Sequence, residues 1–299
     1  MKIKELDFIP GFKKKVMLAP YTTWNIGGPA TYFWEPNVEQ LPKVLEYAHK
    51  NAIPVWFLGR GSNVLIDSKG LDGIVICTRK SLQEINLKDD VITAEAGVPM
   101  PKLSKFAAGL GWGGYEYLIG IPGTVGAGIA INAGLTANGR KEIGDVLIDV
   151  ELMDMKGNRW WESKERLALG YRASNIPERR LFILRARFKA TYHDEIEEIK
   201  HKTATHLAER RRKQPLSKPT AGSTFKQPEG GKPAGWYIDR AGMKGFQIGD
   251  AKVSEKHANW IENDGNATSN DVLQLMQVIK NKVASEFSVY LESEVVALN

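Results

Sequence analysis

The chain has 299 residues, 42% of them hydrophobic and 25% charged, an ordinary soluble composition that argues against disorder and fibrous repeats. No apolar run approaches the roughly 20 residues that cross a bilayer, and Met1 to Leu18 carry charges without an apolar stretch, so neither a membrane span nor a secretory signal is expected. Cys77 is the only cysteine, which excludes an internal disulfide and any cysteine-based zinc or iron–sulfur site and makes a reducing, cytoplasmic setting the expectation.

The formal charge is +6, an excess that suits an anionic small substrate as well as nucleic acid. The densest basic run, Arg210-Arg211-Arg212-Lys213, follows the acidic stretch Asp194 to Glu198 and is not interleaved with aromatics. A solvated helix face is therefore favoured over a nucleic-acid patch. Length alone suggests about two domains.

In chain order, apolar positions at Leu41, Val44, Leu45 and Ala48 predict a helix over about Val38 to Lys50. Pro54 to Leu58, Gly73 to Thr78 and Val91 to Ala96 read as strands. Lys102 to Leu110 reads as the end of a helix, which disqualifies Gly109-Leu110-Gly111-Trp112-Gly113-Gly114 as a dinucleotide fingerprint: that motif needs a strand before it and a helix after. Val146 to Met155 and Leu181 to Thr191 are β-like, and Glu195 to Lys213 is helical until Pro215 and Pro219 break it. A domain boundary is placed near 195–215. Ser269 to Phe287 follows as a helix capped by Ser269-Asn270-Asp271, then a strand from Val289 to Leu291 leads into Glu292 to Val296. Helices are too few for a doubly wound sheet, so the class is α+β.

Two glycine-rich segments could hold a ligand. Gly59, Arg60, Gly61, Ser62 and Asn63 follow a buried strand and either cradle phosphate oxygens with backbone and short polar donors or simply turn the chain. Leu118 to Gly128 is apolar, with Gly120, Ile121, Pro122, Gly123, Thr124, Val125 and Gly126 at its centre. It reads either as backbone laid against a flat ligand such as a flavin ring or as a buried crossover. The five histidines show no metal-ligand spacing, so no metal site is expected.

These segments, with Tyr21 to Gly28, Gly170 to Ser174, Ala221 to Lys226, Val253 to Ala258 and Leu291 to Val295, occur in an order and spacing that resembles the UDP-N-acetylenolpyruvoylglucosamine reductases, in their compact type II form. The resemblance runs from about Leu18 to Val295. It implies an FAD-binding fold of the vanillyl-alcohol-oxidase (PCMH) type in two subdomains, 1–80 and 81–195, with a smaller α+β substrate-binding domain, 200–299. It further implies NADPH as reductant, a UDP-sugar as substrate, a cytoplasmic step of peptidoglycan synthesis and no nucleic-acid partner. Oligomeric state is not implied.

By the same resemblance Arg172, Ser223 and Glu294 are catalytic, and Tyr171, Lys226, Lys232 and His257 contact the substrate. The flavin lies against Gly59, Gly61, Ser62, Asn63 and the stretch from Gly120 to Gly126. Hydride addition to the CH2 of an enolpyruvyl ether builds negative charge on the adjacent carbon and its carboxylate. A guanidinium such as that of Arg172 meets that charge, and an aligned hydroxyl such as that of Ser223 suffices to protonate so strong a base. Without the resemblance, Arg172 reads as an ion-pair residue, Ser223 as a turn residue and Glu294 as a solvated strand-edge charge; Lys232 and His257 each have an equally ordinary surface or core reading. Three departures from the family pattern stand out: the Leu135 to Arg140 segment, Gln227 in place of Asn, and Val296 in place of Arg. Two rivals follow from the same fold: a flavin oxidase and a non-catalytic flavin- or nucleotide-binding relative.

Overall fold

The computed structural model describes residues 10–135 and 139–299; Thr136, Ala137 and Asn138 of the divergent 135–140 segment lie outside them. The chain forms two units, neither continuous in sequence. One comprises 10–14, Tyr32–Arg60 and Gly73–Arg210, the other Lys15–Thr31, Gly61–Asp72 and Arg211–Asn299. The first 80 residues are thus divided between the units, and the last boundary falls inside the helix Ile196–Lys213. Each unit has its own hydrophobic core.

In the first unit, helix α1 (Leu41–Lys50) buries Leu41, Val44, Leu45 and Ala48 completely, the leucines and the valine each contributing about 1.5–3 kcal/mol on burial. It begins three residues later than the apolar spacing suggests. Asn37 accepts from the Glu39 N–H at 2.9 Å in a side-chain turn, and Pro42 in the first turn sets the start, where its missing N–H costs nothing. Val55–Leu58 pairs in parallel with Leu71–Cys77. A five-stranded antiparallel sheet follows, in the order Arg159–Ser163, Leu147–Met153, Phe182–Phe188, Val91–Glu95, Ile85–Lys88. Helix α2 (Met100–Ala108) ends before Gly109, and Trp112–Gly113 is a short strand, so the rejected fingerprint is indeed a helix end.

The apolar glycine segment is not a loop throughout. Glu116–Gly120 is a 3-10 turn and Val125–Ala130 forms α3. Glycine survives in so short a helix because its neighbours crowd it: a Cβ on Gly126 would sit 2.8 Å from the Ala96 Cβ, and one on Gly128 would sit 2.7 Å from the Met100 sulfur. Close packing therefore explains two of these glycines without a ligand.

The second unit contains α4's last turn (α4, Ile196–Lys213), α5 (Ala234–Arg240), α6 (Ser269–Phe287) and an antiparallel sheet in the order Thr220–Ser223, Trp260–Asn263, Ala251–Val253, Gln247–Ile248. The expected strand at Val289 to Leu291 does not form. Ser288 ends α6 in a left-handed conformation and leaves Tyr290 exposed. The pairing comes later, where Val296–Leu298 runs parallel to Val64–Ile66. The α6 cap also sits one residue earlier than the sequence suggests. Thr268 accepts from the Asp271 N–H at 3.1 Å while its own N–H donates to the Asp271 carboxylate at 2.8 Å. Thr268→Ala should lower stability by about 1 kcal/mol, with Thr268→Ser near wild type. Matched thermal or urea denaturation checks this, and an unchanged midpoint for the alanine variant would rule out the cap assignment.

Candidate active site

The first unit contains a cavity of about 490 Å³, in the range of cofactor pockets. Its walls are mostly small or apolar: Phe57, Gly59, Ala96, Gly126, Ala127 and Ile176 among them. Gly59 ends the strand Val55–Leu58, and a Cβ there would approach the Thr124 hydroxyl to 2.5 Å. That hydroxyl is buried and has no hydrogen-bond partner among the described residues, a cost of roughly 1–3 kcal/mol. A cavity of this size with small and apolar walls fits a flat heterocycle, as a flavin is.

Only part of the expected cofactor stretch reaches this cavity. Gly59 and Gly126 line it; Gly120, Ile121, Pro122, Gly123, Thr124 and Val125 are not among its lining residues. The Val125 and Gly126 N–H groups donate to the Val98 and Ala96 carbonyls at 2.8 and 2.9 Å, so they serve the fold and are not phosphate donors. Gly120 instead accommodates the Arg210 stem, whose Cδ would lie 3.0 Å from a Cβ at that position. Burial lowers the Arg210 guanidinium to about 10, which leaves it charged at neutral pH.

Tyr171 and Arg172 are in the same unit. Arg172 adopts a left-handed backbone (φ 54°), which costs a non-glycine residue about 1 kcal/mol or more. Its Nη2 donates to the Gly134 carbonyl at 2.6 Å, and its guanidinium lies over the Tyr171 ring at 5.1 Å. Arg140 lies over the same ring at 5.0 Å. The segment is held by Asn132, a residue for which the sequence suggested no role. Its amide donates to the Gly170 carbonyl at 2.9 Å and to the Glu142 carboxylate at 2.8 Å, and its oxygen accepts from the Gly144 N–H at 3.1 Å. A buried polar side chain within an apolar glycine-rich run was the signal that could have found it.

Gly61, Ser62, Asn63, Ser223, Lys226, Lys232, His257 and Glu294 belong to the second unit. A Cβ on Gly61 (φ 61°) would collide with the Tyr21 carbonyl oxygen, so glycine is needed there for backbone packing. Asn63 does more than present an amide to solvent. Its Nδ2 donates to the Glu294 carbonyl at 3.1 Å, and its own carbonyl accepts from the Val296 N–H at 3.1 Å.

Ser223 ends an irregular strand after Gly222, whose φ of 81° kinks the backbone just before the hydroxyl. Asn259 fixes the residues that follow. Its carbonyl accepts from the Thr224 N–H at 2.8 Å, while its side chain accepts from the Phe225 N–H at 3.0 Å and donates to the Phe225 carbonyl at 2.8 Å. The C-terminal segment pairs on the other side: the Glu294 N–H donates to the Thr224 carbonyl and the Lys226 N–H to the Glu292 carbonyl, both at 2.9 Å. The segments bearing Ser223 and Glu294 are therefore adjacent. Of the two glutamates, Glu292 is the exposed one and faces Lys226 at 3.7 Å.

His257 accepts from the Asn259 N–H through Nδ1 at 3.3 Å, and burial pushes its imidazole below the ordinary range. It is neutral at neutral pH and can offer Nε2–H as a donor, not as a cation. Lys232 is exposed, and its backbone N–H donates to the Tyr237 hydroxyl at 3.2 Å. Among the described residues no cluster of metal-ligating side chains occurs, and no helix is long and apolar enough to cross a membrane.

Residues 214–298 match the sequence family of the UDP-N-acetylenolpyruvoylglucosamine reductase C-terminal domain, and residues 29–162 match an FAD binding domain family. The chain is 39% identical to UDP-N-acetylenolpyruvoylglucosamine reductase of Synechococcus sp. (strain JA-3-3Ab), across 94% of this chain and 89% of that protein. It is 40% identical to the enzyme of the same name from Agathobacter rectalis, across 92% and 90%. The crystal structure of UDP-N-acetylenolpyruvylglucosamine reductase (MurB) from Thermus caldophilus superposes with a TM-score of 0.80 at 35% identity, covering 95% of this chain and 98% of that one.

Proposed function

The chain belongs to the UDP-N-acetylenolpyruvoylglucosamine reductase family, and on that premise we propose which of its residues carry out the FAD-dependent reduction of the enolpyruvyl UDP-sugar in peptidoglycan synthesis. Bound FAD would take a hydride from NADPH and pass it to the terminal CH2 of the enolpyruvyl ether, whose neighbouring carbon then takes a proton to give the lactyl ether. The cavity lined by Gly59, Gly126 and Ala127 would hold FAD in the first unit. Ranges 1–80 and 81–195 would serve the cofactor and 200–299 the substrate.

Arg172 would bind the substrate carboxylate and meet the charge that grows on it, since a guanidinium stays protonated and its donors match a carboxylate. Ser223 would give the proton to the carbon next to that carboxylate, and Glu294 would polarise this centre or return a proton to it. Lys226 and Lys232 supply positive charge suited to a diphosphate, and Tyr171 and His257 supply neutral hydroxyl and imidazole donors. A cytoplasmic site of action is part of the same proposal, as peptidoglycan precursors built on UDP are intracellular chemistry.

One observation carries the assignment: the 2.9 Å hydrogen bond from the Glu294 N–H to the Thr224 carbonyl. It sets a hydroxyl-bearing and a carboxylate-bearing segment side by side, although Ser223 and Glu294 are far apart in the chain. The visible spectrum tests the function. The protein should be yellow, bleach with NADPH under anaerobic conditions and regain colour with the enolpyruvyl UDP-sugar. Recolouring by oxygen alone at a comparable rate would instead indicate the oxidase, and a colourless protein that takes up no FAD would overturn the reductase assignment.

A further inference from the structure

The segment from Leu135 to Arg140, which departs from the family pattern, returns to the catalytic arginine through Arg140. Gly134–Leu135 and Lys141–Glu142 pair as antiparallel strands, with Glu142 opposite Gly134. One oxygen of the Glu142 carboxylate accepts from the Arg140 Nε at 2.7 Å, and the other accepts from the Asn132 amide at 2.8 Å. That same amide donates to the carbonyl of Gly170, the residue before Tyr171, at 2.9 Å. Two guanidiniums lie over the Tyr171 ring, that of Arg140 at 5.0 Å and that of Arg172 at 5.1 Å. Arg172 closes the circuit with its 2.6 Å hydrogen bond to the Gly134 carbonyl. All of these residues belong to the first unit.

We propose that Arg140 is a positioning residue for the reduction: it braces the Tyr171 ring and, through that ring, holds the Arg172 guanidinium where charge develops on the substrate carboxylate. The inference rests on Arg172 being the carboxylate-binding group, as proposed above. A cation over an aromatic face fixes the ring's orientation as well as its own, and a ring fixed from Arg140 limits where Arg172 can lie. The left-handed backbone at Arg172 is strained and persists only where surrounding contacts over-determine it; the circuit through Glu142, Asn132 and Gly134 supplies those contacts. Glu142 also decides between two roles for Arg140. Its carboxylate neutralises the half-exposed Arg140, which suits a brace better than a second anion receptor.

The test uses the FAD-loaded full chain, with steady-state kinetics and anaerobic stopped-flow absorbance. Arg140→Ala should lower kcat and the recolouring rate with the enolpyruvyl UDP-sugar about tenfold, because a displaced donor loses transition-state stabilisation. KM for that substrate should stay within about twofold, and bleaching by NADPH and the thermal midpoint should match wild type. Lys141→Ala, which removes an exposed cation from the same pair of strands, should change none of these. In an Arg172→Lys background Arg140→Ala should cost less than about twofold more, since a brace has no effect once the group it holds is gone. An unchanged kcat for Arg140→Ala overturns the proposal, and so does a raised KM at unchanged kcat, which would mean direct substrate contact. A full tenfold loss in the Arg172→Lys background overturns it as well. If Arg172→Lys itself recolours like wild type, the assignment of Arg172 fails and the brace falls with it; if Arg172→Lys is impaired and Arg140→Ala is not, only the brace is overturned.

Discussion

Ser223→Ala should leave the bleaching of bound FAD by NADPH close to the wild-type rate and slow the recolouring by the enolpyruvyl UDP-sugar by roughly 10² to 10⁴ fold, the range of a lost general acid. The separation follows from what the hydroxyl is asked to do. Hydride transfer from NADPH moves no proton through Ser223, whereas completing the lactyl ether needs one delivered to carbon. Substituting alanine removes only the oxygen. The Gly222 kink and the hydrogen bonds of Asn259 to Thr224 and Phe225 do not involve the Ser223 side chain, so the variant keeps them. A fall in both half-reactions would point to a disturbed fold or cofactor site, and survival of both would show that another group delivers the proton. Anaerobic stopped-flow absorbance resolves the two steps.

How far the site could be read in advance depended on the range of the interactions. Local pattern located α1, α2, α4 and α6, the strands Val55–Leu58, Leu71–Cys77, Val91–Glu95, Leu147–Met153 and Phe182–Phe188, and the false fingerprint at Gly109, because apolar spacing and proline act within a few residues. The α6 cap was off by one because Thr268 and Ser269 are both competent caps, and only the reciprocal bonds with Asp271 distinguish them. The Val289 to Leu291 segment has strand composition, but Val296–Leu298 is what finds a partner, in Val64–Ile66, more than 200 residues earlier.

The same limit hid the positioning residues. Asn132, Asn63 and Asn259 each tie together segments that are distant in sequence, and nothing near them in the chain announces their partners. The residues expected to carry the chemistry were named through family resemblance; the partners of these three amides required coordinates. The glycine stretch reads from sequence either as ligand contact or as a buried crossover, and Gly126 and Gly128 are small largely because α3 packs against Ala96 and Met100.

Arg172→Lys should cut kcat/KM for the enolpyruvyl substrate by roughly 10² to 10³ fold, the cost of losing an electrostatic donor aimed at developing charge, with FAD reduction by NADPH intact. Charge alone is not sufficient at this position. The guanidinium gives one nitrogen to the Gly134 carbonyl at 2.6 Å and lies over Tyr171. A lysine ammonium cannot hold the Gly134 carbonyl, cover the ring and grip a carboxylate in two-point fashion together. A companion pair separates function from fold. Arg172→Ala and Arg172→Gly both remove the side chain, but the backbone at φ 54° disfavours alanine, so the glycine variant should be the more stable of the two by about 1 kcal/mol. Both should be equally impaired in the second half-reaction. If Arg172→Gly were less stable than Arg172→Ala, the left-handed conformation would not be the native one. If Arg172→Lys turned over like wild type, the role of Arg172 would reduce to charge. The expected combination, a stability gain from glycine with no return of activity, is what a strained residue retained for its chemistry produces.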